Sequence, residues 1–314
     1  MAPGRRRATI GDMVGSRARI AGVAVTGVLV AGLLVSPVLC SAGSARTPDE
    51  TLPVTSLRQL ERPSARVPLA TTPRPPVDRD AVLAGLQAAA LPAGVALDAV
   101  VLDRDAAVLV STPAADRPVP SASLVKLLVV QQLLARAAVG VLTLGPADLA
   151  RMERAVTASD DTAMSLLWDA HDGADLVRSA AATFGLTGTA PPAESGQWGE
   201  ASMSAADTGR FLAALTAGAP GAEVLLGWMR NATATAADGF DQRFGLLAAG
   251  PGGGVAGKQG WMCCVAGQRH LHSAGVLGDG RTVVLLGEAP SSVSWTRARR
   301  ALDEAAAVLV AGTA

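Results

Sequence analysis

The stretch VPSASLVKLLVVQQLL (residues 119–134) contains Lys126, and lysine is nearly absent from this chain. Of 27 lysines and arginines only two, Lys126 and Lys258, are lysine. Arginine keeps its proton under working conditions, whereas a desolvated lysine can release one. A sequence that writes its positive charge as arginine therefore uses lysine at these two places for a property arginine lacks. Ser123 stands three residues before Lys126, and residues i and i+3 share a helix face. The hydroxyl and the amine would project together near a helix N-terminus, whose dipole favours negative charge. That is the arrangement of a nucleophile beside its base. The plainer alternative is an N-cap serine (Ser121 or Ser123) followed by a lysine that snorkels to water.

The surroundings define the fold expected around this pair. At 314 residues, 49% of them hydrophobic, the chain can bury one large core or two ordinary ones. RDAVLAGLQAAAL (79–91) has helical spacing, and GVALDAVVLDRDAAVLVS (94–111) reads as two strands around a turn at Asp103–Asp105. Helical segments follow from about 122 to 229. Strand patterns return in GWMCCVAG (260–267), LHSAGVLG (271–278) and RTVVLLGEA (281–289), separated by glycine-marked turns. The last segment, SWTRARRALDEAAAVLVAG (294–312), carries a helical stripe of Trp295, Ala298, Leu302, Ala305 and Leu309. This order predicts an α+β fold: an antiparallel sheet built from both chain ends, flanked by N- and C-terminal helices, with an all-helical lobe inserted. A site at the seam of the two lobes is the natural place for chemistry.

The expected domain organisation is an export signal or N-terminal membrane anchor at 1–45, a Pro-rich linker at 46–77 and the catalytic-type domain at 78–314. Residues 1–19 hold five arginines and one aspartate ahead of a 20-residue apolar run, Ile20–Leu39, and small residues follow in CSAGSA (40–45). The run is long enough to cross a bilayer, so both cleavage and a retained anchor stay open. Lipidation at Cys40 is disfavoured by the bulk of Leu39 before it. Outside residues 1–19 the chain holds 22 basic and 26 acidic side chains and no basic stripe, which argues against a nucleic-acid partner. An extracytoplasmic location at the cell envelope or beyond, and a monomer, are expected. Cys263 and Cys264 are adjacent. A trans peptide sets neighbouring Cα atoms about 3.8 Å apart, too close for a relaxed bridge, so two free cysteines in a strand are expected. His171, His270 and His272 lack the spacing of a metal site and read as structural. No metal or cofactor is expected.

Two further segments complete a pattern. ASDDTAMSLLW (158–168) sets Ser159, Asp160 and Asp161 before an apolar helix, and an N-cap explains only one of the three. GKQGW (257–261) places Lys258 among glycines at the start of a strand, where a ligand or chain can approach closely. A second ammonium near Lys126 would lower the pKa of Lys126 by repulsion. The ordered set SLVK, SDD and KQG resembles the Ser-x-x-Lys, Ser-Asp-Asn and Lys-Thr-Gly motifs of class A serine β-lactamases and penicillin-binding proteins. The resemblance extends over about residues 78–312. It implies that Ser123 is acylated and Lys126 is its base or proton relay, while Ser159 delivers a proton to the leaving nitrogen. Lys258 would hold a substrate carboxylate, and the backbone N–H groups of Ser123 and Trp261 would form the oxyanion hole. Asp161, Gln259 and Gly260 would contact substrate, either a β-lactam or an acyl-D-amino-acid stem peptide of the cell wall.

The departures from the family pattern matter. Asp161 stands where the family has asparagine; a carboxylate accepts from Lys126 but cannot donate to a substrate carbonyl. Gln259 replaces a small hydroxyl residue, and Trp261 narrows the cleft beside it. The deacylating glutamate of class A enzymes has its counterpart in Glu194, within TGTAPPAESGQWGEASMS (187–204), or in Glu200, without the expected neighbours. The chain has no tyrosine, which excludes relatives that use a Tyr-x-Asn motif, and no Gly-x-Ser-x-Gly, which excludes a Ser–His–Asp elbow. Slow hydrolysis by a serine acyl-enzyme is the main expectation. A catalytically silent envelope protein binding a peptide or partner in the same cleft is the alternative, and a secreted Ser–Lys protease fits the later motifs poorly.

Overall fold

The apolar run of the last strand explains the architecture. In VVLLGEA, Val283 and Leu285 pack in one hydrophobic core, whereas Val284 and Leu286 pack in another. Side chains alternate across a strand, so an unbroken apolar run needs cover on both faces. A computed structural model describes residues 76–248 and 254–314. Its main sheet is antiparallel with strand order β2-β1-β7-β6-β5. The strands are β1 (Ala96–Leu102), β2 (Val108–Ser111), β5 (Ala256–Val265), β6 (Gln268–Val276) and β7 (Thr282–Pro290). A short pair, β3 (Val119–Pro120) with β4 (Ser202–Met203), lies apart from it. β1 repeats the alternation of β7, with Ala99 and Val101 in one core and Val100 and Leu102 in the other.

One face is covered by the terminal helices α1 (Arg79–Ala90) and α8 (Trp295–Gly312) through Val82, Leu86, Ala305 and Leu309. Both begin at side-chain caps: Asp78 accepts from Ala81 N–H, and Ser294 from Arg297 N–H. The other face is covered by the helical lobe: α2 (Val125–Ala138), α3 (Pro146–Thr157), α4 (Asp161–His171), α5 (Gly173–Phe184), α6 (Ala205–Thr216) and α7 (Ala222–Arg230). α6 lies against β1 because Gly209 has no Cβ; one built there would stand 2.8 Å from Val100 Cγ1. Every residue of α2 from Val125 to Leu134 is buried, which makes it the central helix of the lobe. A lysine inside that stretch has no route to water.

The α+β arrangement is as the sequence predicts. The pairing of β3 with β4 is an addition; two residues per strand leave no periodicity to read. The export segment, Cys40 and residues 46–75 of the linker lie outside the described residues. Within those described, no helix is long and apolar enough to cross a membrane.

His272 joins the sheet to the helical lobe. Gly287 N–H donates to its Nδ1 at 3.2 Å, so Nε2 carries the proton and donates to Pro120 C=O at 2.8 Å. The ring is fully buried, and burial, with His270 nearby, pushes its pKa down to about 3. The unfolded chain titrates near the ordinary value of about 6.5. Between these values the unfolded state binds a proton that the folded state does not, so stability falls as pH drops through that window. Urea unfolding between pH 7 and pH 4 should show this loss, and His272→Gln should flatten the dependence. An equal slope in both proteins would contradict it.

Candidate active site

The chain reaches the site through a constrained turn. β3 ends at Pro120, Ser121 N–H donates to Ala201 C=O at 2.8 Å, and Ala122 takes a left-handed φ of +48°. Ala122–Leu124 form one 3₁₀ turn that runs directly into α2. Ser123 is therefore presented just before the helix, with only 5% of its surface exposed, on the wall of a cavity of about 320 Å³. β5 presses against this turn at Gly260. A Cβ there would lie 3.1 Å from Ser121 O and 3.3 Å from Ser123 N, so glycine is what lets the strand come this close.

Lys126 is the second residue of α2, and nothing of it is exposed. Its Nζ donates to Ser159 C=O at 2.7 Å, to Ser159 Oγ at 3.2 Å and to Asp161 Oδ1 at 2.6 Å. An ammonium has three N–H groups, and all are committed. The Trp198 ring centroid stands 4.8 Å away. From β5, Lys258 Nζ donates to the same Ser159 Oγ at 2.8 Å and to Gln259 C=O at 2.9 Å. Both amines thus converge on one hydroxyl, and it belongs to Ser159. Among the described residues Lys126 takes Ser159 and Asp161 as partners, not Ser123. The i, i+3 argument assumed one continuous α-helix; Ser123 sits in the 3₁₀ turn ahead of it.

Ser159 holds a left-handed φ of +51° between α3 and α4. Such a backbone costs of order 1–3 kcal/mol and persists where its surroundings over-determine it. Asp160 is the N-cap of α4, accepting from Ala163 N–H at 2.9 Å and from Arg154 Nε at 3.1 Å. Asp161 begins the helix with its side chain 64% exposed toward the cavity. The three polar residues of SDD thus have separate positions, and one of them is the cap.

Burial lowers the Lys126 pKa from its ordinary value, while the Asp161 carboxylate opposes the fall. Burial lowers Lys258 further, and repulsion from Lys126 adds to it. The seam therefore holds two amines whose pKa values both lie below the ordinary lysine value.

The other predicted residues divide. Trp261 lines the cavity, stacks on Phe240 at 4.7 Å and donates from Nε1 to Asp238 at 3.1 Å. Gln259 points elsewhere: it is fully buried, and its amide donates to the carbonyls of Phe244 and, at 3.4 Å, Gln242. Strand alternation explains this, because Lys258 and Gln259 must leave β5 on opposite sides. Glu194 and Glu200 are exposed, and neither lines the cavity. Their loop instead contributes Gly196, Gln197, Trp198 and Gly199. Trp198 was missed by the sequence reading, although a tryptophan flanked by glycines in a polar loop is a usable signal. Ser165, which accepts from Trp198 Nε1 at 3.2 Å, carried none.

One expectation is corrected. Cys263 and Cys264 are joined by a disulfide, with a cis peptide bond between them and Cα atoms 3.0 Å apart. The expectation of free thiols assumed a trans peptide. The three histidines are structural in placement: His171 lies 3.8 Å from Asp148, His270 lies 3.7 Å from Glu288, and His272 bridges to Pro120.

Comparison with known proteins places the chain. It is 35% identical over 221 residues to the protein named "Putative lipoprotein LppW" of Mycobacterium tuberculosis and of Mycobacterium bovis, covering 68% of this chain and 68% of each relative. The chain belongs to the LppW family. No family model matches it. LppW-like sequence is here combined with a β-lactamase-like fold. A β-lactamase of Sphaerobacter thermophilus superposes with a TM-score of 0.58 at 17% identity, covering 76% of this chain and 98% of the other. One from Chitinophaga pinensis gives 0.60 at 15% identity, covering 73% and 97%. PBP-A, solved as an acyl-enzyme complex with penicillin G, gives 0.58 at 17% identity, covering 75% and 97%.

Among the described residues no carboxylate is hydrogen-bonded to the buried Lys258, so folding carries its desolvation cost. An apolar side chain of similar volume carries no such desolvation cost. Lys258→Met in this LppW-family protein should therefore unfold at an equal or higher denaturant midpoint. A midpoint lowered by more than about 2 kcal/mol equivalent would show that Lys258 serves stability instead.

Proposed function

We propose that the chain is an exported serine acyl-enzyme of β-lactamase and penicillin-binding type, acylated at Ser123 by β-lactams or acyl-D-amino-acid peptides. The observation that carries this reading is the convergence of Lys126 and Lys258 on Ser159 Oγ beside a cavity walled by Ser123. A hydroxyl has two acceptor lone pairs and one proton. With both lone pairs engaged by the amines, the remaining O–H of Ser159 is the proton available for delivery. With Lys126 in its neutral form, Ser123 Oγ attacks the carbonyl and its proton passes to Lys126 Nζ, and Lys126 donates a proton to Ser159 Oγ as Ser159 gives its own to the nitrogen of the breaking C–N bond. The backbone N–H groups of Ser123 and Trp261 stabilise the oxyanion, and Ser159 protonates the departing nitrogen. Support for an envelope location comes from the name of the relatives, which describes a lipoprotein, and from the N-terminal sequence pattern.

Deacylation is slow in this reading, because Glu194 and Glu200 do not line the cavity. Intact-mass measurement after exposure to benzylpenicillin should show one adduct on the wild type and none on Ser123→Ala. No adduct on the wild type, or an adduct on the variant, would refute the nucleophile assignment. Rapid steady-state turnover of nitrocefin would refute slow deacylation.

The pH dependence follows from the lowered Lys126 pKa. Acylation should accelerate with rising pH as Lys126 loses its proton, below the ordinary lysine value of about 10.4. Asp161 favours the charged form, so Asp161→Asn should lower that pKa further and move the acceleration to lower pH. An unchanged profile would remove Lys126 as the base.

One observation favours the rival reading of a non-catalytic binder: the short pair with Asp161 stabilises the Lys126 ammonium. Ligand affinity that survives Ser123→Ala, without a covalent species on the wild type, would select it.

A further inference from the structure

The charge lining the cavity is of the wrong sign for an anionic substrate. The cavity walls are Ala122, Ser123, Asp161, Ser165, Trp198, Trp261 and their neighbours Gly196, Gln197, Gly199 and Met262. Asp161 is the one charged side chain in that set, and it is a carboxylate. The groups that could receive an anion are turned away. Lys258 is buried behind Ser159 and donates to Ser159 Oγ and Gln259 C=O. The amide of Gln259 is committed to backbone carbonyls on the far side of β5.

Asp161 is also oriented. Its pairing with Lys126 joins a side chain with no exposure to one that is 64% exposed. The positive end of this pair faces protein, and the negative end faces the cavity. Oδ1 holds Lys126, while the second carboxylate oxygen retains its acceptor capacity. Asp238, bonded to Trp261 Nε1, adds a second carboxylate beside the same indole. Two indoles line the cavity, and aromatic surfaces suit the apolar stem and the charge of a long cationic side chain.

We propose that the cavity is a cation-selecting subsite, in which the Asp161 carboxylate, between Trp198 and Trp261, receives an ammonium- or guanidinium-bearing side chain of the acyl substrate. This deepens the acyl-enzyme reading by naming the substrate class: a peptide with a positive charge near the acyl centre, in preference to a carboxylate-bearing β-lactam. The cation-binding part does not require Ser123 to react.

The test uses the full chain and two small probes, N-acetyl-L-lysinamide and N-acetyl-L-glutamic acid α-amide. Binding is followed by the indole ¹H–¹⁵N resonances of Trp198 and Trp261, assigned through Trp198→Phe and Trp261→Phe. The lysine probe should bind at least tenfold more tightly than the glutamate probe and shift both indoles. Asp161→Asn should lose at least tenfold of that affinity, and Asp161→Glu should recover part of it. Equal or tighter binding of the glutamate probe, lysine-probe binding indifferent to Asp161→Asn, or no shift with the lysine probe at millimolar concentration would each overturn the proposal. Adduct formation at Ser123 is read separately by mass. Cation binding without an adduct leaves this subsite standing and removes the enzyme; an adduct without cation preference does the reverse.

Discussion

Two desolvated amines held against one serine hydroxyl are the constraint on which the rest of the site depends. Lys126 comes from the buried first turn of α2 and Lys258 from β5, and they meet at Ser159 Oγ from the helical lobe and the sheet. Neither side chain reaches water, so neither charge is relieved by solvent. Among the described residues Asp161 is the one carboxylate hydrogen-bonded to either amine, and it serves Lys126. Folding works against this arrangement, since a buried ammonium costs several kcal/mol unless it is paired and hydrogen-bonded. Uncompensated burial of this kind gathers at functional sites.

The fold supplies the rigidity that holds the two amines in place. β5 cannot slip by one residue against β6 without turning Lys258 to the other face of the sheet. His272 ties β6 to Pro120, three residues before Ser123. Gly260 then lets β5 lie against the Ser121–Ser123 turn. Strained φ values at Ala122 and Ser159 mark the two backbone positions that this contact network over-determines. Electrostatics and packing act on the same few residues, and their joint product is a hydroxyl held between two buried amines.

Much of this was legible in the sequence, for physical reasons. The scarcity of lysine marked both amines, because a desolvated lysine can release a proton and arginine cannot. The apolar runs of β7 and α2 announced two-sided burial. Asp161 was recognisable as a departure because a carboxylate and an amide differ in what they can donate. What was not legible depends on geometry at the scale of a single turn. The 3₁₀ step at Ala122–Leu124 turns the Lys126 amine toward Ser159, and no propensity distinguishes that step from an α-helical start. The orientation of Gln259 follows from which residue of β5 faces the seam, a register set by its pairing with β6, Gln259 opposite Ser273.

Because the chain contains only two lysines, the central interaction can be observed without background. Selective ¹⁵Nζ-lysine labelling followed by an NMR pH titration reports both amines directly. The account predicts that both titrate below the ordinary lysine value of about 10.4, with Lys258 the lower of the two. It also predicts that Lys126→Met raises the Lys258 pKa, because a neighbouring positive charge is removed. Two independent titrations at the ordinary value would contradict the convergence on Ser159 and with it the functional reading.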